Sequence, residues 1–290
     1  MDGILLINKP KGITSRDVVN EIVRILKIQK VGHTGTLDPM ATGVLVLCVG
    51  KATKITSLIT NYDKEYIAEI TLGIETDTLD IEGSIIREEV VKNITREQVK
   101  GILNSFIGII EQEVPKYSAV KVGGKKLYQY ARDNVNVTLP TRKVTINKLQ
   151  LVSELDIIDN RVRFKIECNV SKGTYIRSLI RDIGHKLNTV ACMSSLERTK
   201  QGIYKIEDCY LIEDIKNKPF KLISIYDTLK HLPMVIVNNE MEVKIRYGAV
   251  LERFFDQYKA VIINQSNEVI AIYQTYEKDE SKVKPYIMLI

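Results

Sequence analysis

The spacing of apolar and polar residues predicts a chain of mixed strands and helices. Buried or alternating apolar runs predict strands at residues 3–8, 44–49, 64–72, 143–158 and 161–170. Apolar residues three and four apart predict helices from Thr14 or Ser15 to Leu26, and at 51–60, 95–108, 125–133 and 176–187. Strands and helices alternate without a repeat, so the pattern alone indicates only a mixed α and β fold.

The pattern changes near residues 231–235. Beyond this point, short apolar runs such as EVKIRYG and EVIAIYQTY are separated by turn residues, which is typical of a small all-β domain. We therefore expect a larger domain at 1–232 and a small one at 233–290.

Composition narrows the class of protein. Hydrophobic residues make up 44% of the 290 residues and charged residues 27%, as in soluble globular proteins. No apolar run is long enough to span a bilayer, and the N-terminus lacks the shape of a signal peptide. The four cysteines lack CxxC pairing and the three histidines are far apart, so we expect a cytoplasmic protein without a metal or redox site.

Charge is concentrated in one tract, residues 116–148. Its net charge of +7 exceeds the +6 of the whole chain, and three tyrosines are interleaved with the cations. Cations beside aromatic rings suit phosphates and unstacked bases. A solvated surface is the better interpretation for any single lysine, but the tract as a whole favours a polyanion partner. The basic residues are Lys116, Lys121, Lys125, Lys126, Arg132, Arg142, Lys143 and Lys148.

Two residues are candidates for chemistry. Asp38 is the only acid between Glu21 and Asp63, in a loop rich in threonine and in glycines that allow sharp turns. An Asp-Pro step is more often a simple turn, although the polar groups crowded before strand 44–49 favour a functional loop. Arg177 lies in the first turn of a predicted helix, where an unpaired cation opposes the helix dipole. It has either an anionic partner or a surface position.

Five motifs, in this order, resemble the bacterial tRNA pseudouridine-55 synthases, the TruB family. They span nearly all of residues 1–205. Three departures from the family pattern are Val114, Val170 and Glu197, of which only Glu197 could weaken RNA contact. The motifs are LLINKPKGITS at 5–15, VGHTGTLDPMATGVLVLCVGKATK at 31–54, KEYIAEITLGIETDTLDIEG at 64–83, YSAVKVGGKKLYQYAR at 117–132 and SKGTYIRSLIRDIG at 171–184.

The resemblance implies an activity and a site. A synthase of this family isomerises uridine 55 in the T loop of tRNA by cleaving C1′–N1, rotating the base and joining C5 to C1′, without a cofactor or metal. By the same resemblance Asp38 is the catalytic aspartate, Arg177 pairs with it, and Tyr66 packs on the target base. His33, Tyr175 and Leu196 also contact the target nucleotide.

The resemblance further implies the fold and the partner. We expect an α+β fold, with a mixed, largely antiparallel sheet crossed by a central catalytic cleft, flanking helices and a small C-terminal all-β PUA-like domain. The expected partner is the T-arm stem-loop of tRNA; no protein partner is implied, and we expect a monomer. By their charge, the residues expected to bind RNA are Lys9, Lys116, Lys121, Lys125, Lys126, Arg132, Arg142 and Lys143. Lys9 lies in a turn predicted at 9–12, where a lysine is more often merely exposed.

Two other functions are weighed against this one. A non-catalytic RNA-binding protein would explain the basic tract but would not need Asp38 in its loop. A glycoside hydrolase would place two carboxylates across a sugar, and no second acid lies in the Asp38 segment.

Overall fold

The computed structural model describes residues 1–290. The strands are β1 (Gly3–Lys9), β2 (Val31–His33), β3 (Thr42–Val49), β4 (Lys64–Leu72), β5 (Ile74–Thr76), β6 (Ile85–Glu88), β7 (Gly108–Glu113), β8 (Lys121–Val122), β9 (Lys125–Lys126), β10 (Thr141–Leu151), β11 (Asp156–Ile158), β12 (Arg161–Val170), β13 (Ala191–Gln201), β14 (Tyr204–Lys205), β15 (Met234–Ile236), β16 (Leu251–Glu252), β17 (Lys259–Ile263), β18 (Val269–Tyr276) and β19 (Asp279–Met288). The helices are α1 (Ser15–Leu26), α2 (Thr56–Thr60), α3 (Arg96–Asn104), α4 (Leu127–Arg132), α5 (Ile176–Lys186), α6 (Ile212–Asn217), α7 (Ile225–Leu229) and α8 (Asn239–Arg246), with 3₁₀ turns at Gly50–Ile55 and Ile206–Asp208.

One ten-stranded sheet forms the centre of the molecule. Its main path runs β1-β3-β13-β4-β12-β10-β7, and every neighbouring pair is antiparallel except β13 with β3. The predicted α+β fold with a mixed, largely antiparallel sheet is therefore confirmed. Strand β13 lies between β3, which follows the Asp38 loop, and β4, which carries Tyr66. It therefore brings these two segments together.

The parallel junction between β3 and β13 requires glycine at position 43. Gly43 has φ +98°, and a Cβ there would lie 2.2 Å from the carbonyl oxygen of Arg198. Gly32, by contrast, has open space around it. Of these two glycines only Gly43 is required by close backbone approach.

Alternation along β4 determines which face of the sheet is buried. Tyr66, Ala68, Ile70 and Leu72 are all buried, and they belong to an apolar cluster that α3 and α5 complete from one side. Burying alternate residues fixes the register, since a slip of one residue would expose the whole set. The strand predicted at 64–72 is confirmed.

Two element ends are fixed by local hydrogen bonding and backbone conformation. Thr95 caps α3 in a capping box with Gln98. Asp159 and Asn160, both with positive φ, make the tight turn between β11 and β12. The single strand predicted at 143–158 is wrong, because the chain breaks between Leu151 and Asp156.

The C-terminal unit is a five-stranded sheet of order β15-β17-β18-β19-β16, but it is not all-β. The run EVKIRYG, predicted as a strand, lies mostly in α8. Asn238 caps this helix, and the pairs Glu240–Lys244 and Glu242–Arg246 have the i,i+4 spacing that stabilises helices.

The two units are packed together. The predicted boundary at 231–235 falls between α7 and β15, yet Val46 and Leu229 on one side share an apolar cluster with Val261 and Ile272 on the other. No helix is both long and apolar enough to cross a membrane.

Candidate active site

A cavity of about 430 Å³ opens where the Asp38 loop, β4, β13 and the start of α5 meet. Five of the residues singled out from the sequence line it, although they come from four separate segments. These residues are Asp38, Tyr66, Tyr175, Arg177 and Leu196.

The Asp38 loop is fixed by hydrogen bonds on both sides of the carboxylate. The Leu37 amide donates to Ser15 Oγ at 2.8 Å, and that hydroxyl donates to the Leu37 carbonyl at 3.0 Å. The Gly12 amide donates to the carbonyl of Pro39 at 2.8 Å. The backbone thus holds Asp38 in place while its side chain, 37% exposed, faces the cavity.

Lys9 does not have its predicted role. It ends β1 instead of lying in an exposed turn, and it is fully buried. Its Nζ donates to the carbonyls of Pro10 at 2.8 Å and Pro39 at 3.2 Å, and burial lowers its pKa to about 8. The prediction that Lys9 contacts RNA is therefore wrong, since no phosphate can reach it; it supports the Asp38 loop instead.

Arg177 is buried, which excludes the surface position. Its Nε lies 3.0 Å from Asp38 Oδ2. Its Nη1 donates to the carbonyl of Thr78 at 2.9 Å, and its Nη2 to that of Tyr117 at 3.1 Å. The guanidinium is therefore oriented from three directions, with one edge directed at the Asp38 carboxylate.

A second carboxylate, Asp80, completes this group. It is 7% exposed and lies 3.6 Å from Arg177 Nη1, while its Oδ1 accepts from Thr78 Oγ1 at 2.8 Å. Burial raises the pKa of Asp80, opposed by the Thr78 hydrogen bond and by the charge of Arg177. By sequence alone, the acidic residues Glu75, Asp77, Asp80 and Glu82 indicate a solvated turn, and for Asp80 this interpretation is wrong. The one sequence signal for Asp80 is Arg177 itself. An arginine has five N–H donors, so a buried arginine needs acceptors besides Asp38.

Tyr66 and Leu196 form an apolar wall of the cavity. Each is 8% exposed, and they lie on the neighbouring strands β4 and β13. Burial raises the pKa of Tyr66, so its phenol is neutral at neutral pH. This wall suits a flat, uncharged ring.

Tyr175 is placed at the start of α5 by Gln112, which the sequence did not indicate. The fully buried Gln112 accepts from the Tyr175 amide at 2.8 Å and donates to its carbonyl at 3.1 Å. The guanidinium of Arg142 lies 5.6 Å from the centre of the Tyr175 ring. A residue of the basic tract therefore touches the cavity wall directly.

His33 lies beside the cavity and does not line it. It ends β2, one residue before the cavity-lining Thr34. Its Nδ1 is buried without a hydrogen-bond partner. Burial lowers its pKa, and the charges of Arg16 and Arg198 lower it further, so the imidazole is neutral at pH 7.

The basic tract begins at the cavity rim. Tyr117, Ser118 and Tyr128 line the cavity, and the Tyr117 hydroxyl donates to Asp77 at 3.3 Å. Lys126 and Arg132 lie 5.5 and 5.4 Å from the Tyr128 ring centre. Lys121, Arg132 and Lys143 are exposed and Lys116 is half-buried, while Lys125 pairs with Asp133. No group of three or more His, Cys, Asp or Glu side chains could hold a metal ion.

Family comparisons cover most of the chain. The model described as TruB family pseudouridylate synthase (N terminal domain) matches residues 23–176, and that described as tRNA pseudouridylate synthase B C-terminal domain matches residues 177–223. The chain is 41% identical over 297 residues to tRNA pseudouridine synthase B of Geobacillus thermodenitrificans, covering 98% of each. It is 40% identical to the protein of that name from Halalkalibacterium halodurans, covering 100% of this chain and 98% of that one.

Solved structures share the fold. The archaeal box H/ACA sRNP Nop10-Cbf5 complex matches with a TM-score of 0.68 and 22% identity, over 99% of this chain and 86% of that one. A Cbf5-Nop10-Gar1 complex matches with a TM-score of 0.71 and 24% identity, over 99% and 85%. At this identity the likeness concerns the fold alone.

Proposed function

The chain belongs to the TruB family of pseudouridylate synthases, and we propose that it converts uridine 55 in the T loop of tRNA to pseudouridine, with Asp38 as the catalytic carboxylate. The observation that carries the proposal is Asp38 itself, an acid on a fixed loop, paired with buried Arg177 and facing a cavity walled by Tyr66 and Leu196. The tRNA substrate is supported by the names of the relatives, and position 55 by the five sequence motifs.

The reaction needs no oxidant, reductant or external energy, because the same atoms are rejoined. A carboxylate at the sugar can serve as a nucleophile toward the sugar or the base, or as a base at C2′. Each of these roles needs Asp38 ionised and aimed. Arg177 aims the carboxylate, because its Nε lies 3.0 Å from Asp38 Oδ2.

Tyr66, Leu196 and Tyr175 would hold the target base. The T-loop uridine must leave its stack, which costs a few kcal/mol, and contact with an aromatic ring returns part of that cost. Stacking against Tyr66 would also keep the detached uracil close to C1′ while it turns.

Exposed cations would hold the RNA backbone. We assign residues 1–232 to the catalytic unit, with the tract at 116–148 gripping the T-arm stem-loop. Residues 233–290 would form a PUA-like RNA-binding unit, where Lys259 Nζ lies 3.5 Å from the centre of the half-exposed Tyr286 ring. Both surfaces combine charge with aromatic faces.

The rival functions fit the site less well. A glycosidase needs two carboxylates facing one sugar, and Asp38 is the single acid that lines the cavity, while Asp80 is engaged with Arg177 and Thr78. A non-catalytic RNA-binding protein would have no use for an acid facing its ligand cavity.

The test is the release of tritium from uridine C5. A T-arm stem-loop carrying C5-tritiated uridine at position 55 should lose its label to water when incubated with the enzyme, and chromatography should identify pseudouridine at that position. A stem-loop with cytidine at position 55 and tritiated uridine elsewhere in the loop serves as the control. Without release from the first RNA, the proposed function fails.

His33→Ala is expected to impair base flipping. We propose that the neutral imidazole enters the space that the uridine leaves, because His33 lies beside the cavity, next to the cavity-lining Thr34, with a buried and unpartnered Nδ1. The variant should lose roughly tenfold or more in single-turnover rate on the T-arm, and less on a flexible single strand whose uridine is already unstacked. His185→Ala, an exposed histidine on α5, is the matched control. Equal losses on the two RNAs would contradict the wedge role.

A further inference from the structure

Positive charge inside the cavity exceeds what the described ion pairs neutralise. The cavity is lined by four cations and by one acid, Asp38. Arg177 is paired with Asp38 and Asp80, and Lys172 is exposed to water. The other two cations are buried and have no carboxylate within 4.0 Å. These two are Lys64 and Arg198.

Arg198 has the largest fully buried side chain in the protein, at 1% exposure. It lies directly opposite Tyr66 in the pairing of β13 with β4. Its Nε donates to the carbonyl of Val44 at 2.7 Å, and its Nη2 to that of Gly35 at 3.0 Å. Backbone carbonyls satisfy donors but do not neutralise the charge, and a buried charge without a counterion is costly.

Lys64 adds a second charge on the same face. It precedes Tyr66 by two residues in β4, so both side chains point to one side of the sheet. It is 7% exposed, and its Nζ donates to the carbonyls of Thr60 at 2.7 Å and Tyr62 at 2.6 Å. Burial lowers its pKa to about 8, with the charge of Arg198 contributing. Two uncompensated cations therefore flank Tyr66, the residue proposed to carry the base.

We infer that Arg198, assisted by Lys64, stabilises the negative charge that the uracil bears after its bond to the sugar breaks. This inference rests on the proposed function. When C1′–N1 breaks, its electron pair leaves with N1 and spreads over the ring oxygens, while C1′ either bonds to the Asp38 carboxylate or gains a double bond to C2′ as Asp38 takes the C2′ proton. The uracil charge disappears when C5 uses an electron pair to bond C1′, and Asp38 then leaves C1′ or returns the proton to C2′. C5 afterwards loses its proton to water, and N1 gains one from water.

The place of Arg198 favours the base over a phosphate as this anion. Tyr66 and Arg198 lie within the sheet, where a base inserted between Tyr66 and Leu196 would arrive. The RNA backbone would stay near the exposed cations at the rim. Donors fixed before the reaction stabilise developing charge without having to reorganise.

Arg198→Gln should slow single turnover of the T-arm by roughly 10²-fold, the usual effect of removing one fixed donor, without weakening RNA binding. Arg198→Lys, which keeps the charge but loses the fork of donors, should recover part of the rate. Lys64→Gln should slow the reaction to a smaller extent, and it provides the same test if Arg198→Gln does not fold.

The leaving group separates charge stabilisation from structural support. Fluorine at C5 makes the uracil anion more stable, so conversion of 5-fluorouridine at the target position should lose at least about tenfold less from Arg198→Gln than conversion of uridine does. The disappearance of 5-fluorouridine from a chromatogram of the digested RNA measures this conversion, since rearrangement leaves the mass unchanged and C5 carries no proton to release. If Arg198→Gln lost the same factor in rate on uridine and on 5-fluorouridine, Arg198 would have only a structural role through its hydrogen bonds to Gly35 and Val44. That result would overturn the inference. If Arg198→Gln instead bound RNA more weakly but kept the wild-type rate at saturating RNA, Arg198 would be a phosphate contact. This result would also overturn the inference. In either case wild-type activity on uridine would leave the proposed function intact.

Discussion

Asp38→Asn is expected to reduce C5 tritium release by about 10⁴-fold or more, as with the loss of other central catalytic groups. Asparagine matches aspartate in shape but is neither a nucleophile nor a base at neutral pH, so each role proposed for Asp38 would be lost. Single-turnover release from the tritiated T-arm, with enzyme in excess, measures this step directly.

The fold should survive this substitution. Arg177 would still bind Asp80 and the carbonyls of Thr78 and Tyr117, and bonds to neighbouring backbone hold the loop. RNA affinity and thermal unfolding should therefore match those of the wild type. Asp256→Asn, at an exposed acid of the C-terminal unit, controls for loss of one charge. Full release by Asp38→Asn would remove Asp38 from the chemistry.

Sequence reasoning located the residues whose local setting was unusual. Asp38 was an isolated acid before an apolar strand, and Arg177 was a cation in a helix's first turn, where it needs an anion. The prediction that these two residues pair with each other came from the family resemblance. The 3.0 Å contact between them depends on tertiary structure. Nothing in the spacing of either segment encodes that distance.

The residues that were missed depend on long-range packing. Asp80 belongs to a loop whose acidity is typical of solvated turns, but the loop pairs with Met193 of β13 and Asp80 contacts Arg177 of α5. Arg198 stands next to Glu197, which drew attention as a departure from the family. Its neighbour Tyr66 lies on another strand, and strand order cannot be derived from alternation.

Two errors arose from competition between local rules. Pro10 and Gly12 after Lys9 indicated a turn, but pairing of Lys9 with Gly43 continues β1 and buries the lysine. The run at 242–248 alternates as a strand would, yet the cap at Asn238 and the i,i+4 ion pairs favour a helix. At 242–248 the helix cap and the charge spacing prevailed over alternation, whereas at Lys9 strand pairing prevailed over the turn signals.

Arg177→Leu is expected to lower the free energy of unfolding by about 3–5 kcal/mol and to abolish activity. Without the guanidinium, Asp80 would remain a buried carboxylate without a counterion. Burial already raises the pKa of Asp80, and removing Arg177 would raise it further. The folded state would then hold this proton to higher pH than the unfolded state, so stability is lost as pH rises through the folded pKa. Denaturant unfolding should therefore show a smaller deficit at pH 5 than at pH 8.

The double variant Arg177→Leu/Asp80→Leu should recover most of that stability at both pH values, because apolar replacement of a buried ion pair is often neutral. It should remain inactive, since Asp38 would still lack the cation that orients it. Asp80→Leu alone completes the cycle and gives the coupling between the two residues. If the double variant were as unstable as Arg177→Leu, the deficit would come from the lost bonds to Thr78 and Tyr117 and not from an unpaired Asp80. Recovered stability without activity would mean that this ion group is retained for its action on Asp38.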